Sequence, residues 1–270
     1  MDLFKKLIQR KHTKKTLVTK EINPYFGTQI FNLTDINKIT QDQFNEIKKI
    51  IKLSYMVIIK GKRKWTEQEQ INFTTNLQSE KDLTQNINID KRNVIISKEN
   101  YADESNFLWR SDGARTKKPP YLSVFQMTGI SDHSTKTSFI SLTEIYASIN
   151  TELKKELKQY HIKYSNDVSH PIIWKHPYSG KKTLFFDFGF TSMVNNTCNK
   201  EPLSHKTTNQ ILFGLNKLFS NETFTHVHQW DTGDLVIVDN YAVAHKSKIS
   251  AQNPFQSSVL LKTATQGIYF

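Results

Sequence analysis

The chain has 270 residues, 37% hydrophobic and 11% aromatic, which suffices for one sizeable core and is unlike a disordered or low-complexity chain. Its formal charge is +12, from 37 Lys and Arg against 25 Asp and Glu, but the excess is nearly all Lys spread along the chain. No motif interleaves Arg with aromatic residues, so a nucleic-acid partner is not expected. The single cysteine, Cys198, excludes an intrachain disulfide, and no apolar run has the length of a signal peptide or a membrane span. The expectation is a protein of the reducing cytoplasm.

Residues 1 to about 22 are basic and read as a solvated arm ahead of one domain over 23–270. Tyr25 to Phe31 reads as extended. Phe44, Ile47, Ile50, Ile51 and Leu53 recur at near-helical spacing behind Thr40 and Asp42, which predicts a capped helix. Tyr55-Met56-Val57-Ile58-Ile59 is a short apolar run before Lys60-Gly61-Lys62, as a buried strand would be. Thr66 to Leu77 predicts a second helix, with Glu67 and Glu69 at its positive end.

The middle third alternates strand-like runs with turns. Leu122 to Met127 predicts a strand, Thr137 to Leu142 leads into a helix over Glu144 to Leu157, and the runs 171–174 and 182–186 predict a hairpin around the turn His176 to Gly180. A helix is expected over Thr207 to Phe219, then strands over Leu235 to Val238 and Ser258 to Thr265. Many short strands with a few covering helices indicate a mainly β fold with flanking helices, a double-stranded β-helix or jelly roll. No internal repeat and no linker is evident.

The most informative segment runs from Trp230 through Gly233-Asp234, Leu235 to Val238, and Asp239-Asn240 to His245. Gly233-Asp234 is a turn that launches an apolar strand and Asp239-Asn240 a turn that ends it. His245 is expected just beyond, where the chain leaves a strand near the mouth of a barrel, and can there offer an imidazole nitrogen to a metal. A lone His so placed is more often a hydrogen-bonded structural residue.

This segment resembles the distal metal-ligand motif of the taurine dioxygenase (TauD/TfdA-like) family, W-x-x-G-D, apolar strand, D-N-x-x-x-x-H. Phe26-Gly27-Thr28-Gln29-Ile30 resembles that family's N-terminal F-G-x-x-I region. His170-Pro171-Ile172-Ile173, His176-Pro177, Ser179-Gly180 and Leu184 resemble its H-P-V-V…H-P-x-x-G…L hairpin. The three stretches occur in the family's order and span nearly the whole chain. The resemblance implies a non-haem Fe(II)/2-oxoglutarate-dependent oxygenase acting on a small organic substrate. It also implies two His and one carboxylate as iron ligands.

The first two ligands come in that family as W-H-x-D, and the matching stretch here is Leu108-Trp109-Arg110-Ser111-Asp112-Gly113. The resemblance thus gives Asp112 and His245 as the metal ligands, with Arg110 where the first His should be. A guanidinium stays protonated and has no free lone pair, so it cannot ligate iron. Arg110 is instead expected to pair, as a fixed cation, with the Asp112 carboxylate. The related halogenases give up the carboxylate rather than the histidine and offer no precedent. Arg110 and Trp109 are the candidate catalytic-site residues, Trp109 as a wall of the pocket.

A second departure concerns the cosubstrate. The family holds 2-oxoglutarate with an Arg after the distal His, and no Arg follows Arg115 here. Alignment of the last strand puts Ser258 or Val259 at that position. Lys262, or Lys246 and Lys248, can supply a point charge, without the planar fork of Arg. Thr137 fits the family threonine that hydrogen-bonds the same carboxylate, so Thr137 and Lys262 are the candidate cosubstrate-binding pair.

His226 and His228 alternate and can face one side, but they precede Trp230 where the family carries a variable loop, so neither is expected to replace the missing ligand. His133, His161, His170, His176 and His205 read as surface or turn residues. Asp112-Gly113, Pro119-Pro120-Tyr121 and Phe125-Gln126 also resemble the branch of the family that acts on amino-acid-derived isonitriles. Arg110 and the absent distal Arg keep open a second function on the same scaffold, a catalytically degenerate protein with a binding or regulatory role. The substrate, the oligomeric state and the role of the arm stay open.

Overall fold

The computed structural model describes residues 17–33, 35–78, 94–100, 108–129, 135–164, 168–196, 201–248 and 259–267. In chain order the strands are β1 (Thr19–Glu21), β2 (Thr28–Ile30), β3 (Met56–Ile59), β4 (Val94–Asn100), β5 (Leu122–Gly129), β6 (Lys136–Ser141), β7 (Tyr160–Tyr164) and β8 (Ser169–Pro171). They continue as β9 (Ile173–Lys175), β10 (Lys182–Leu184), β11 (Thr191–Asn196), β12 (Thr225–Gln229), β13 (Leu235–Asp239), β14 (Val243–Lys248) and β15 (Val259–Thr265). The α-helices are α1 (Gln41–Ser54), α2 (Glu67–Leu77), α3 (Leu142–Ser148), α4 (Thr151–Leu157) and α5 (His205–Leu218).

Local chemistry sets the helix ends. Thr40 caps α1 and Thr66 caps α2, each in a reciprocal capping box with the residue three on, Gln43 and Glu69. Phe44, Ile47 and Ile51 form the buried stripe of α1, and Tyr55, left-handed at φ 61°, ends it. The expected helix over 144–157 is two helices. Asn150 interrupts it, because its side chain accepts from the Leu153 backbone N–H and so caps a new start.

A seven-stranded sheet runs β1-β2-β3-β13-β5-β15-β4, antiparallel except for the β2–β3 pair, and a three-stranded sheet runs β12-β6-β14. Alternation along the central strands sorts their side chains. Met56, Ile58, Phe125, Met127, Val236 and Val238 meet Phe139, Val243 and Trp230 in one core, between the two sheets. Val57, Ile59, Val124, Leu235 and Ile237 join a larger core that also takes the apolar faces of α1 and α2. β3 and β13 are buried on both faces, which is why each reads in sequence as an unbroken apolar run.

Two local expectations change, and the expected hairpin forms. The end of the expected arm is structured: Leu17 is buried, and Thr19–Glu21 pairs with Thr28–Ile30. Residues 1–16, Cys198, His133 and Ser258 lie outside the described residues. His245 is not at a strand exit but inside β14, whose polar-looking sequence hides a strand with one face in the core. The hairpin is β9 paired with β10, Thr183 opposite Trp174.

Candidate functional site

The centre is assembled by a short extended segment at 109–111. The Arg110 N–H donates to the His245 carbonyl at 3.1 Å and the His245 N–H donates back at 3.0 Å. On its other edge the Ser111 N–H donates to the Phe186 carbonyl at 2.8 Å and the Phe188 N–H to the Trp109 carbonyl at 3.1 Å. Arg110 therefore bridges His245 on one side and Asp187 on the other. Residues directly opposite in such a ladder share a face. The Arg110, His245 and Asp187 side chains thus sit together, and Trp109 turns the other way. Its ring lies 6.1 Å from Phe219 and 4.6 Å beneath the Lys246 ammonium, in the larger core. Trp109 is not a wall of the centre, contrary to expectation.

Arg110 Nε donates to His245 Nε2 at 3.4 Å. The expected partner, Asp112, instead holds Lys262: the ammonium is 3.0 Å from Oδ1, and the Ser123 hydroxyl donates to Oδ2 at 2.5 Å. The cation on the carboxylate is therefore Lys262, and Arg110 caps the imidazole. The reason is the strand register. Ser123 and Phe125 alternate onto the inner face of β5, and Lys262 lies opposite Phe125 on β15. The Phe125 ring stands 5.2 Å from that of His245, which closes the group. Lys262 is only 14% exposed at its side chain, so it is not a solvated strand residue.

Burial opposes the Asp112 charge, but Lys262 leads the groups that outweigh it, and the carboxyl is held below the usual carboxylate range. Burial, then the Arg110 charge, pushes His245 down to about 3, so its ring is neutral at ordinary pH. With Nε2 accepting from Arg110, the ring proton belongs on Nδ1, which has no hydrogen-bond partner among the described residues. Burial likewise raises Asp187 to about 6, against the pull of Arg110. Asp187 and Ser123 escaped the sequence reading. The one signal was position, Ser123 two residues before Phe125 in a strand and Asp187 directly after the apolar hairpin.

Thr137 lies on the same side of the small sheet as His245, since Phe139, two residues on in β6, is paired with His245. Trp230 Nε1 donates to its hydroxyl at 2.8 Å. His226 and His228 both face inward on β12. His226 is paired with the same Phe139 as His245, from the opposite edge, so Phe139 stands between the two rings and His226 does not complete a ligand set. His228 Nε2 is 3.2 Å from Asp234 Oδ2. His170 and His176 are buried rather than superficial. His170 Nε2 meets the Thr116 carbonyl at 2.9 Å, and His176 Nε2 meets Asp239 Oδ2 at 2.8 Å.

Most of the distal segment is thus architecture. Asp234 takes the Lys60 ammonium at 2.6 Å, Asp239 takes His176, and Asn240 Nδ2 donates to Ser123 Oγ at 2.9 Å. Each fixed partner holds a turn so that β14 carries His245 to the centre, and Asn240 steadies the serine that steadies Asp112.

The arrangement does not fit a resident iron ion. A two-His, one-carboxylate face needs three sets of unengaged lone pairs. Asp112 and His245, the residues at the two matching ligand positions, are each turned to a protein cation, and Asp187 faces Arg110. Among the described residues no cluster of three or more His, Cys, Asp or Glu could hold a metal. No helix there is long and apolar enough to cross a membrane.

Comparison with known proteins places these observations. The family profile described as "Taurine catabolism dioxygenase TauD, TfdA family" matches residues 19–254. A Schizosaccharomyces pombe protein, provisionally described as an alpha-ketoglutarate-dependent sulfonate dioxygenase, is 26% identical over 179 residues, 59% of this chain and 44% of its own length. The chain therefore spans under half of that curated relative. Among solved structures, AAD-2 in complex with Mn(II) and N-oxalylglycine superposes with a TM-score of 0.78 at 17% identity, covering 94% of this chain and 98% of AAD-2. A taurine dioxygenase from Burkholderia xenovorans gives 0.75 at 15% identity, covering 93% and 91%. At such identities the likeness is one of fold.

Proposed function

The chain belongs to the TauD, TfdA family of dioxygenases, and from that premise we propose that it is a non-haem Fe(II)/2-oxoglutarate-dependent oxygenase acting on a small organic substrate. The overall reaction is the oxidation of a substrate C–H bond by O2, coupled to the oxidative decarboxylation of 2-oxoglutarate to succinate and CO2. The observation that carries this reading is that Asp112, held by Ser123 and Lys262, and His245, against Phe125 on the same β5–β15 pair, come into one buried group from distant parts of the chain. The chain's own contributions are binding and exclusion. Arg110 and Lys262 are the cations placed to receive carboxylates. Phe125, Phe139 and Trp230 keep the centre dry, which strengthens those pairings.

The test is succinate formation from 2-oxoglutarate under air with added Fe(II) and panels of small organic acids, sulfonates among them. Turnover above the metal-free control is expected. Silence of the wild type across the panels, beside metal binding restored by Arg110→His, overturns the enzymatic reading and leaves a binding role on the same scaffold.

A further inference from the structure

We propose that the crevice between α4 and α5 is where a second copy of this chain docks, α5 of each copy lying over α4 of the other. Two stripes run along α5, each at a spacing of four, three and four residues. Thr208, Leu212, Leu215 and Phe219 face the chain's own core. Thr207, Ile211, Gly214 and Leu218, one position earlier in each turn, line a crevice of about 280 Å³ whose other wall is Leu153 and Leu157 of α4. Leu153, Ile211 and Leu218 stay only half-buried there. A close-packed interior does not leave a gap of that size. One apolar stripe suffices to seat a surface helix on its own domain, and the second stripe calls for another neighbour.

Gly214 points the same way. It stands inside the helix, where glycine is a much poorer helix former than alanine. A Cβ there would meet nothing within 4 Å, so packing inside the chain does not call for glycine. Its bare backbone instead leaves room for close approach from outside. Charge names the occupant. The α4 shoulder of the crevice is acidic: Glu156 lines it, and Glu152 stands one turn earlier on the same face. Lys154 is turned away, its ammonium 5.0 Å from the Tyr146 ring centre and donating to the Ala147 carbonyl at 3.1 Å. The outward shoulder of α5 is basic. Lys206, Phe213 and Lys217 share it, with the Lys217 ammonium 4.6 Å from the centre of the exposed Phe213 ring, and α5 carries no carboxylate. A twofold axis along the crevice sets the basic shoulder of each copy over the acidic shoulder of the other, so the contact is self-complementary and occurs twice. The +12 charge of each copy repels at longer range, so association depends on this local match.

Sedimentation velocity of the full chain over a concentration series tests this. The wild type is expected to show a monomer–dimer equilibrium. Ile211→Glu puts a carboxylate in the apolar stripe and should weaken the dimer about tenfold or more, with an unchanged circular dichroism spectrum. Leu53→Ser, at an exposed apolar residue of α1, should leave the dimer as it is. Two surface variants keep the test independent of folding. Glu152→Lys with Glu156→Lys makes both shoulders basic, and Lys206→Glu with Lys217→Glu makes both acidic, so each protein alone should be monomeric. Mixed one to one, the two should pair, because every shoulder then meets its opposite. A wild type that is monomeric across the whole series overturns the proposal. So does a dimer that survives Ile211→Glu, a charge variant that dimerises alone, or a mixture that stays monomeric. If Ile211→Glu loses its fold, the charge variants decide.

Discussion

Arg110 and His245 are cross-strand partners that exchange both main-chain hydrogen bonds, at 3.1 and 3.0 Å, and their side chains meet on the same face at 3.4 Å. A cation is thereby held against the lone pair through which the imidazole would otherwise act. Replacing Arg110 by Ala removes the second cause of the low His245 pKa and leaves burial, the first. The ring should then titrate above its present value of about 3 but still below the ordinary imidazole range, as read by NMR of the histidine ring carbons.

Lys262→Met leaves the buried Asp112 carboxylate, among the described residues, with the Ser123 hydroxyl as its hydrogen-bond partner. We expect a loss of about 2–4 kcal/mol at neutral pH in urea denaturation. The sign of the pH dependence reverses at this site. In the wild type Asp112 sits below its unfolded value, so its contribution is present above that value and lost in acid. In the variant burial outweighs the remaining Ser123 hydroxyl and His245, so the folded form takes up a proton first and the deficit shrinks as pH falls. Equal deficits at pH 7.5 and 4.5 would refute this account.

His176 ties the β9–β10 hairpin to the end of β13. Its Nδ1 accepts from the Tyr178 and Ser179 N–H groups while Nε2 meets Asp239. His176→Ala strands the Asp239 carboxylate and should cost about 3 kcal/mol. Asp239→Asn keeps an acceptor for the Tyr241 N–H and should cost less. Thermal melts of the pair decide, and an inverted order would refute the assignment.

His226 is pushed down to about 4 by burial and by His228. Its folded value lies below its unfolded one, so its stabilising contribution is whole above about pH 6.5 and is lost as pH falls through 4. Allowing for the ring's partial exposure, His226→Gln should reduce the acid loss by about 1 kcal/mol, or roughly 2–4 °C in Tm at pH 4.5. A melting curve parallel to wild type from pH 7 to 4 would refute it.

Gly233 adopts φ +92°, and a Cβ there would fall 2.5 Å from the Arg63 carbonyl oxygen. Gly233→Ala should cost roughly 2–4 kcal/mol, because both the backbone conformation and the Lys60–Asp234 turn resist it. A variant within 0.5 kcal/mol of wild type, about the noise of a surface change, would show that the turn yields.

Much of the scaffold was legible because its signals are local. Thr40 and Thr66 announce their helices through capping groups three residues away, and β3 and β13 announce themselves by burial on both faces. The residues Asp112 and His245 were legible from the motifs they stand in. Their partners were not. Lys262 reaches Asp112 across 150 positions only because β15 and β5 pair in one particular register. Arg110 and Trp109 depart from their expected neighbours because one residue of strand geometry sends them to opposite faces, and periodicity cannot be read from a bridge that short. β14 was missed as the home of His245 because a strand with Lys246, Ser247 and Lys248 hides its single apolar face.

The main chain around position 110 is satisfied on both edges by four main-chain hydrogen bonds. Any residue other than proline can keep them. The main-chain hydrogen bonds at 110 are therefore compatible with a cation or with a metal donor there, so a single replacement can change the chemistry of the centre without breaking its strand pairing. Fold and side-chain chemistry are thus separable at this one position: the strand pairing around 110 is set by main chain, the charge of the centre by the side chain it carries.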